Sequence, residues 1–300
     1  MGVVDGNFDF KSSTYAEVAV LVNLADRAIH ERGIRFTPNS VLHKLFADAR
    51  KLDREWRDSK KSPSLVTGIN AVYAEKIARI VADLIDVPGV EEALQRIAGS
   101  DISLSHRLKS QGKDALWELT LLTTLMRKKI CAELVDPPDI IVELRMGYYA
   151  IACKKIYELK SLSSRLRDGA KQIRKSGSPG VIALNIDDLL PGDHILSSES
   201  PRVALDILSS KTKRFFQENL SAFERIKEKS CLDGVLISAS TISDITETST
   251  RLNLTTSFNF YPFRDEGPGR DRFMELVREL SPAGDTGAYS APTSSHACQS

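Results

Sequence analysis

The chain has no run approaching the ~18 consecutive apolar residues that a membrane-spanning helix needs, which excludes a helical membrane protein. Its four cysteines, Cys131, Cys153, Cys231 and Cys298, form no C-x-x-C pair. That spacing excludes a zinc ribbon, a thioredoxin-type redox pair and a disulfide-stapled scaffold, and the expectation is reduced thiols in a cytoplasmic protein. The histidines make no H-E-x-x-H, and G-x-S-x-G, the P-loop and G-x-G-x-x-G are also missing. Residues 1–6 hold no basic stretch followed by an apolar one, so no secretory leader is expected, and Gly6 stands where a myristoylation signal places Ser or Thr. Neither sign of charge dominates: Lys+Arg at 41 against Asp+Glu at 40 provides no global basic field to announce a nucleic-acid partner.

What is present divides the chain into parts. Residues 1–12 read as a flexible N-terminus and residues 13–100 as a helical region. Val18, Leu21, Val22, Ala25 and Ile29 repeat at helical spacing, a second stripe runs from Val41 to Ala49, and a third helix spans about Gly68 to Ile85. Residues 101–113 are polar and read as a connector. The grammar then changes to α/β over residues 114–262: a helix to about Lys129, a short strand near 130–135, and a hairpin of 139–144 with 148–156. A basic helix over about 158–176 follows, then the apolar strand Val181–Ile186, one long helix over about 204–228, and strands at 234–237 and 252–260. Residues 263–300 form a C-terminal segment, and from 281 onward, with one acidic residue and no Lys or Arg, it reads as largely disordered.

The residues that carry chemistry are Glu118 on the first helix of the α/β part, Pro138-Asp139 opening a strand, and Ala152-Cys153-Lys154 near the end of its hairpin partner, with Gln172 on the following helix. This set resembles the PD-(D/E)XK nuclease superfamily, the restriction-endonuclease-like fold, over about residues 113–190. The resemblance implies a mixed sheet flanked by helices and hydrolysis of phosphodiesters with Mg²⁺ or Mn²⁺. It implies Asp139 as principal metal ligand, the Cys153 carbonyl as a further one, Glu118 as an outer ligand, Lys154 as the catalytic lysine and Gln172 beside them. Hard carboxylate oxygens suit Mg²⁺, the ion activates a bound water, and a lysine stabilises charge on the phosphate.

One position departs from the pattern: Ala152 stands where the superfamily carries Asp or Glu, and alanine cannot bind a metal. Glu143 shares a strand face with Asp139 but lies roughly 13 Å along it. Asp168 points away from the apolar face of the following helix. Glu158, in that helix's expected first turn and on the flank of Gln172, ranks first as a replacement ligand, although a helix N-terminus favours a carboxylate there in any case.

Residues 154–175 hold eight basic side chains against two acidic ones. Lys155, Lys160, Arg165 and Lys171 are the candidate contacts to a nucleic-acid backbone, since phosphates attract such a patch. Taken one at a time, Pro138-Asp139 is an ordinary turn, Lys154-Lys155 ordinary surface charge, and Glu118 an ordinary helix residue. Three functions follow: a DNA endonuclease of restriction, defence or repair type; an inactive nuclease fold that only binds nucleic acid; or a protein-interaction module built on the helical region. DNA is the expected partner, no membrane is expected, and a homodimer is a candidate state because cutting both strands of a duplex is easier with two copies.

Overall fold

The computed structural model describes residues 5–6, 13–59, 64–104, 106–191, 195–248 and 252–281. A two-residue strand, β1 (Asp5–Gly6), precedes five helices: α1 (Tyr15–Glu31), α2 (Val41–Ser59), α3 (Leu65–Leu84), α4 (Val90–Gly99) and α5 (Gln111–Arg127). Thr14 and Glu17 close a capping box on α1, and Ser64 and Ser110 accept the backbone N–H three residues on to start α3 and α5. There follow β2 (Ala132–Leu134), β3 (Ile140–Leu144), β4 (Gly147–Lys155), α6 (Leu162–Ser176), β5 (Gly180–Asn185) and β6 (Leu196–Ser198). The chain continues with α7 (Pro201–Glu218), α8 (Leu220–Lys229), β7 (Gly234–Ile245), β8 (Leu252–Pro262) and α9 (Pro268–Leu280).

One mixed sheet results, in the order β1-β8-β7-β5-β4-β3-β2, with β6 paired to β7. β4, β5 and β7 run parallel, and the remaining steps along this order are antiparallel. The parallel steps are joined through α6 and through α7 and α8, as parallel strands require. The architecture is α/β, a mixed sheet flanked by helices and preceded by an all-helical region.

Strand alternation sorts the core into two layers. Tyr149, Ile151 and Cys153 of β4 face a layer shared with α1 to α5 and α9, whereas Ala150 and Ala152 face a layer shared with α6, α7 and α8. The helical region therefore covers one face of the sheet. Trp117 of α5 stacks on Phe258 of β8 and donates its Nε1–H to the Ala183 carbonyl of β5 at 3.1 Å. Buried Phe46, Ile77 and Leu84 belong to this same layer, each stabilising the fold by about 1.5–3 kcal/mol. Among the described residues no helix is long and apolar enough to cross a membrane.

Several local expectations change. The helix expected over 204–228 is two, because Asn219 turns the chain and donates its side-chain N–H to the Phe215 carbonyl at 2.8 Å. The segment after 262 contains α9, started by Pro268, whose Phe273, Leu276, Val277 and Leu280 join the sheet's core. Within the stretch expected to be flexible, Asp5 and Gly6 pair with Asn259 and Phe258. The tail expected to be disordered lies, after Ser281, outside the described residues. Cys153 and Cys231 are free thiols as expected, but Cys131 is disulfide-bonded.

Candidate active site

β3 and β4 form a hairpin closed by Arg145 and Met146, with Gly147 at φ 106° where a side chain would be strained. The Arg145 N–H donates to Glu275 Oε1 at 2.6 Å, tying the turn to α9. The register sets Ile140 against Ile151, so Asp139, one residue before β3, lies across from Ala152. Asp139 Oδ2 accepts the Cys153 N–H at 2.7 Å and Lys154 Nζ at 3.1 Å, and its Oδ1 accepts Gln172 Nε2 at 3.2 Å. Lys154 Nζ also donates to the Cys153 carbonyl at 2.8 Å. Gln172 reaches this point because α6 lies close on β5: a Cβ at Gly169 would sit 2.8 Å from Ile182. Asp139, Cys153, Lys154 and Gln172 are thus brought together from the hairpin and α6.

Glu118 approaches on α5. Its Oε2 accepts Arg96 Nη2 from α4 at 2.8 Å, and Arg96 Nε is buried without a partner among the described residues. Burial pushes the Glu118 carboxyl above its ordinary range; the Arg96 guanidinium opposes this, and the Asp139 charge adds to it. Burial likewise raises Asp139, against the pull of Lys154, the Cys153 N–H and Gln172. The Cys153 thiol is pushed well up, by burial first and then by Asp139 and Glu118, so it is held neutral and is no nucleophile.

The oxygens around this point are all hard donors: the Asp139 and Glu118 carboxylates, the Cys153 carbonyl, and Gln172 Oε1, which is buried without a hydrogen-bond partner. Mg²⁺ and Mn²⁺ fit such a set, since one or two carboxylates suffice when waters and substrate phosphate complete the octahedron. Among the described residues no group of three or more His, Cys, Asp and Glu side chains is arranged to hold a metal.

Among the described residues position 152 gains no substitute from Glu158, Asp168 or Glu143. Ala152 is fully buried in the layer under α6. Glu158, ranked first as a replacement ligand, instead lies in solvent, bound to Lys160 at 2.6 Å. The expected helix does not start there: Glu158 precedes a 3-10 turn, Leu159–Ser161, and α6 proper begins at Leu162, so the helical angle that aimed Glu158 at the site does not apply. Asp168 and Glu143 are exposed.

The basic segment separates by face. Lys155 is buried in an ion pair with Asp188 at 2.7 Å, which removes it from the candidate nucleic-acid contacts. Arg165 is half-buried and its charge acts on Asp114 through space, and Lys160 is held by Glu158. Lys171 is exposed together with Arg167, Arg174 and Lys175. Two contributors escape the sequence reading. Arg96 lies in a helix with no local link to Glu118. Asp188 carries a usable signal, because it follows an apolar strand at the edge where α/β sheets place polar groups.

No protein-family model, curated protein or solved structure matches the chain.

Proposed function

We propose that the chain is a Mg²⁺- or Mn²⁺-dependent nuclease that hydrolyses phosphodiester bonds of DNA. The supporting observation is the convergence on the Asp139 carboxylate of Lys154, Gln172 and the Cys153 N–H, with Glu118 electrostatically coupled to the same point. When bound by Asp139, Glu118 and the Cys153 carbonyl, the metal supplies Lewis-acid polarisation of the phosphate and a more acidic water. Lys154, fixed between Asp139 and the Cys153 carbonyl, holds positive charge where the pentavalent phosphate accumulates negative charge. Gln172 clamps Asp139 through its amide N–H and leaves its Oε1 free to accept from a water. Arg96 orients Glu118. In the reaction a water oxygen bonds to phosphorus as the ester P–O bond breaks; the water gives up a proton to solvent, and the leaving ester oxygen takes one up from solvent to depart as the alcohol. The exposed basic side chains of α6 attract the DNA backbone.

A second reading, nucleic-acid binding without cleavage, is favoured by one observation: Ala152 is sealed in an apolar layer and no described carboxylate replaces the missing acid. Supercoiled plasmid and single-stranded DNA, incubated with Mg²⁺ or Mn²⁺ beside an EDTA control and the Lys154→Ala protein, separate the two. Metal-dependent cutting that the variant loses supports the nuclease. Salt-sensitive binding without cutting supports the binder, and the absence of both overturns the assignment.

A further inference from the structure

On the face of β4 opposite Lys154 lies a cavity of about 170 Å³ that the proposed nuclease site does not use. It lies between α3, α5, the carboxyl ends of the parallel strands β4 and β5, and the middle of β7. The register aligns Lys155 with Asn185 and Asn185 with Ser238, so β4 and β5 end together there, and Ser240 continues β7 into the wall. Open α/β sheets bind ligands at this edge, where strand ends leave backbone and polar side chains facing a crevice. Exposed Leu65 and Pro191 mark the rim, and Leu116 and Trp117 supply an apolar wall.

The charges in the wall do not balance. Lys76, Arg107, Lys113 and Lys155 line it against Asp187 and Asp188. Asp188 is shared by Lys113 at 3.1 Å and Lys155 at 2.7 Å, and its backbone carbonyl accepts from Arg107 at 2.5 Å. Asp187 accepts the Ser240 N–H at 2.6 Å. Lys76 has neither hydrogen bond nor ion pair among the described residues. Its ammonium is held below its ordinary range, chiefly by burial, with Asp187 opposing and Lys155 adding to the effect. Asp187 acts on it only through space, with no direct bond, and an anion entering the cavity gives this ammonium a direct partner. Among the described residues the lining's excess of two cations matches a dianion. As to size, an apolar cavity of roughly 150 Å³ accepts benzene, so this one holds a body of about one ring and excludes a polymer strand.

We propose that this cavity binds a small phosphate monoester, its dianionic group meeting Lys76 and Arg107 and its organic body packing on Leu116 and Trp117. The proposal is independent of the nuclease reading. The test is thermal unfolding and titration calorimetry of the full chain with phenyl phosphate, at ionic strength matched with NaCl. Phenyl phosphate at millimolar concentration is expected to raise the unfolding midpoint of the parent protein. Lys76→Met keeps the packed stem without the charge: it should raise the midpoint of the unliganded protein yet weaken phenyl phosphate binding at least tenfold, while Lys76→Arg binds within a few-fold of the parent. Arg107→Met should show the same loss, and serves if Lys76→Met does not fold. No response in the parent, or an undiminished response in both methionine variants, overturns the proposal. Inorganic phosphate binding as tightly as phenyl phosphate overturns the monoester assignment.

Discussion

Lys154 and Lys155 are adjacent in the chain, yet their ammonium groups end on opposite faces of β4, the first 3.1 Å from Asp139 Oδ2 and the second 2.7 Å from Asp188 Oδ2. Period-two alternation enforces the separation, and helices cover both faces of the strand. Both lysines are ion-paired, but only Lys154 lies beside the Asp139–Gln172 cluster. Substitutions at the two positions should therefore fail in different assays.

Lys154→Ala and Asp139→Ala should each lower metal-dependent DNA cleavage by about two to three orders of magnitude, the usual effect of removing one electrostatic contributor from a preorganised site. Glu118→Ala should weaken cleavage less. Circular dichroism and unfolding midpoints check that the variants stay folded. Parent-like cutting by the first two would sink the site assignment.

Asp188→Asn should cost about 3–5 kcal/mol of stability, because it leaves Lys113 and Lys155 as two buried cations without their shared carboxylate. Urea unfolding measures this directly. Adding Lys155→Met to the same chain should recover part of the loss, since the two residues share one network. A loss below ~1 kcal/mol would mean that water already reaches the pair.

Ala152→Asp supplies the acid that the proposed nuclease site lacks, across the hairpin from Asp139. Position 152 is fully buried, so the metal-free variant should lose about 1–3 kcal/mol to an unpartnered carboxylate. Mn²⁺ should return that stability and raise the unfolding midpoint more than it does in the parent. If Mn²⁺ leaves both proteins unmoved, Asp139 and its neighbours do not form a metal site.

The hairpin, the following helix and the positions of Asp139, Lys154 and Gln172 are legible because each depends on local rules: a breaker before a β-branched run, alternation along a strand, and a periodic helix after it. Lys155 is misplaced by its basic surroundings although the sequence holds the means to place it. The apolar run from Val181 to Leu184 says that both faces of the sheet are covered here, so two successive lysines on the strand beside it could not both reach solvent. Glu158 is misplaced because a 3-10 turn and an α-helix share the same residue preferences, and the turn alone changes the angle at which a side chain leaves the axis. Arg96 is out of reach. Its hydrogen bond with Glu118 spans 22 residues and depends on how α4 packs against α5, which no local pattern specifies.

Acidification should separate folding from metal binding at Glu118. Its carboxyl lies above the ordinary range, so it takes up a proton more readily in the folded chain than in the unfolded one. The stability contributed by this group is present at low pH and lost as pH rises through its raised pKa. Metal binding needs the ionised form instead. As pH falls from neutral toward the ordinary carboxylate range, the metal-free parent should therefore gain stability relative to Glu118→Gln, while its Mn²⁺-induced rise in midpoint shrinks. A parent–variant difference that stays flat across this range, with and without Mn²⁺, contradicts the assignment.

The exposed face of α6 makes the most direct claim on DNA. Lys171 and Arg174 reach solvent, whereas Lys155 is buried against Asp188. If this face neutralises backbone phosphates, Lys171→Ala with Arg174→Ala should weaken duplex binding about equally for any sequence. The slope of log K against log salt should become shallower by about 0.9 for each phosphate that the double variant leaves unneutralised. Lys155→Met should leave that slope unchanged, because a buried ammonium releases no condensed counter-ion when DNA arrives. Fluorescence anisotropy across a salt series measures both slopes. An equal change for Lys155→Met and the double variant would mean that the fold, not the face, is being perturbed, and the helix would lose its place as the DNA-contacting surface.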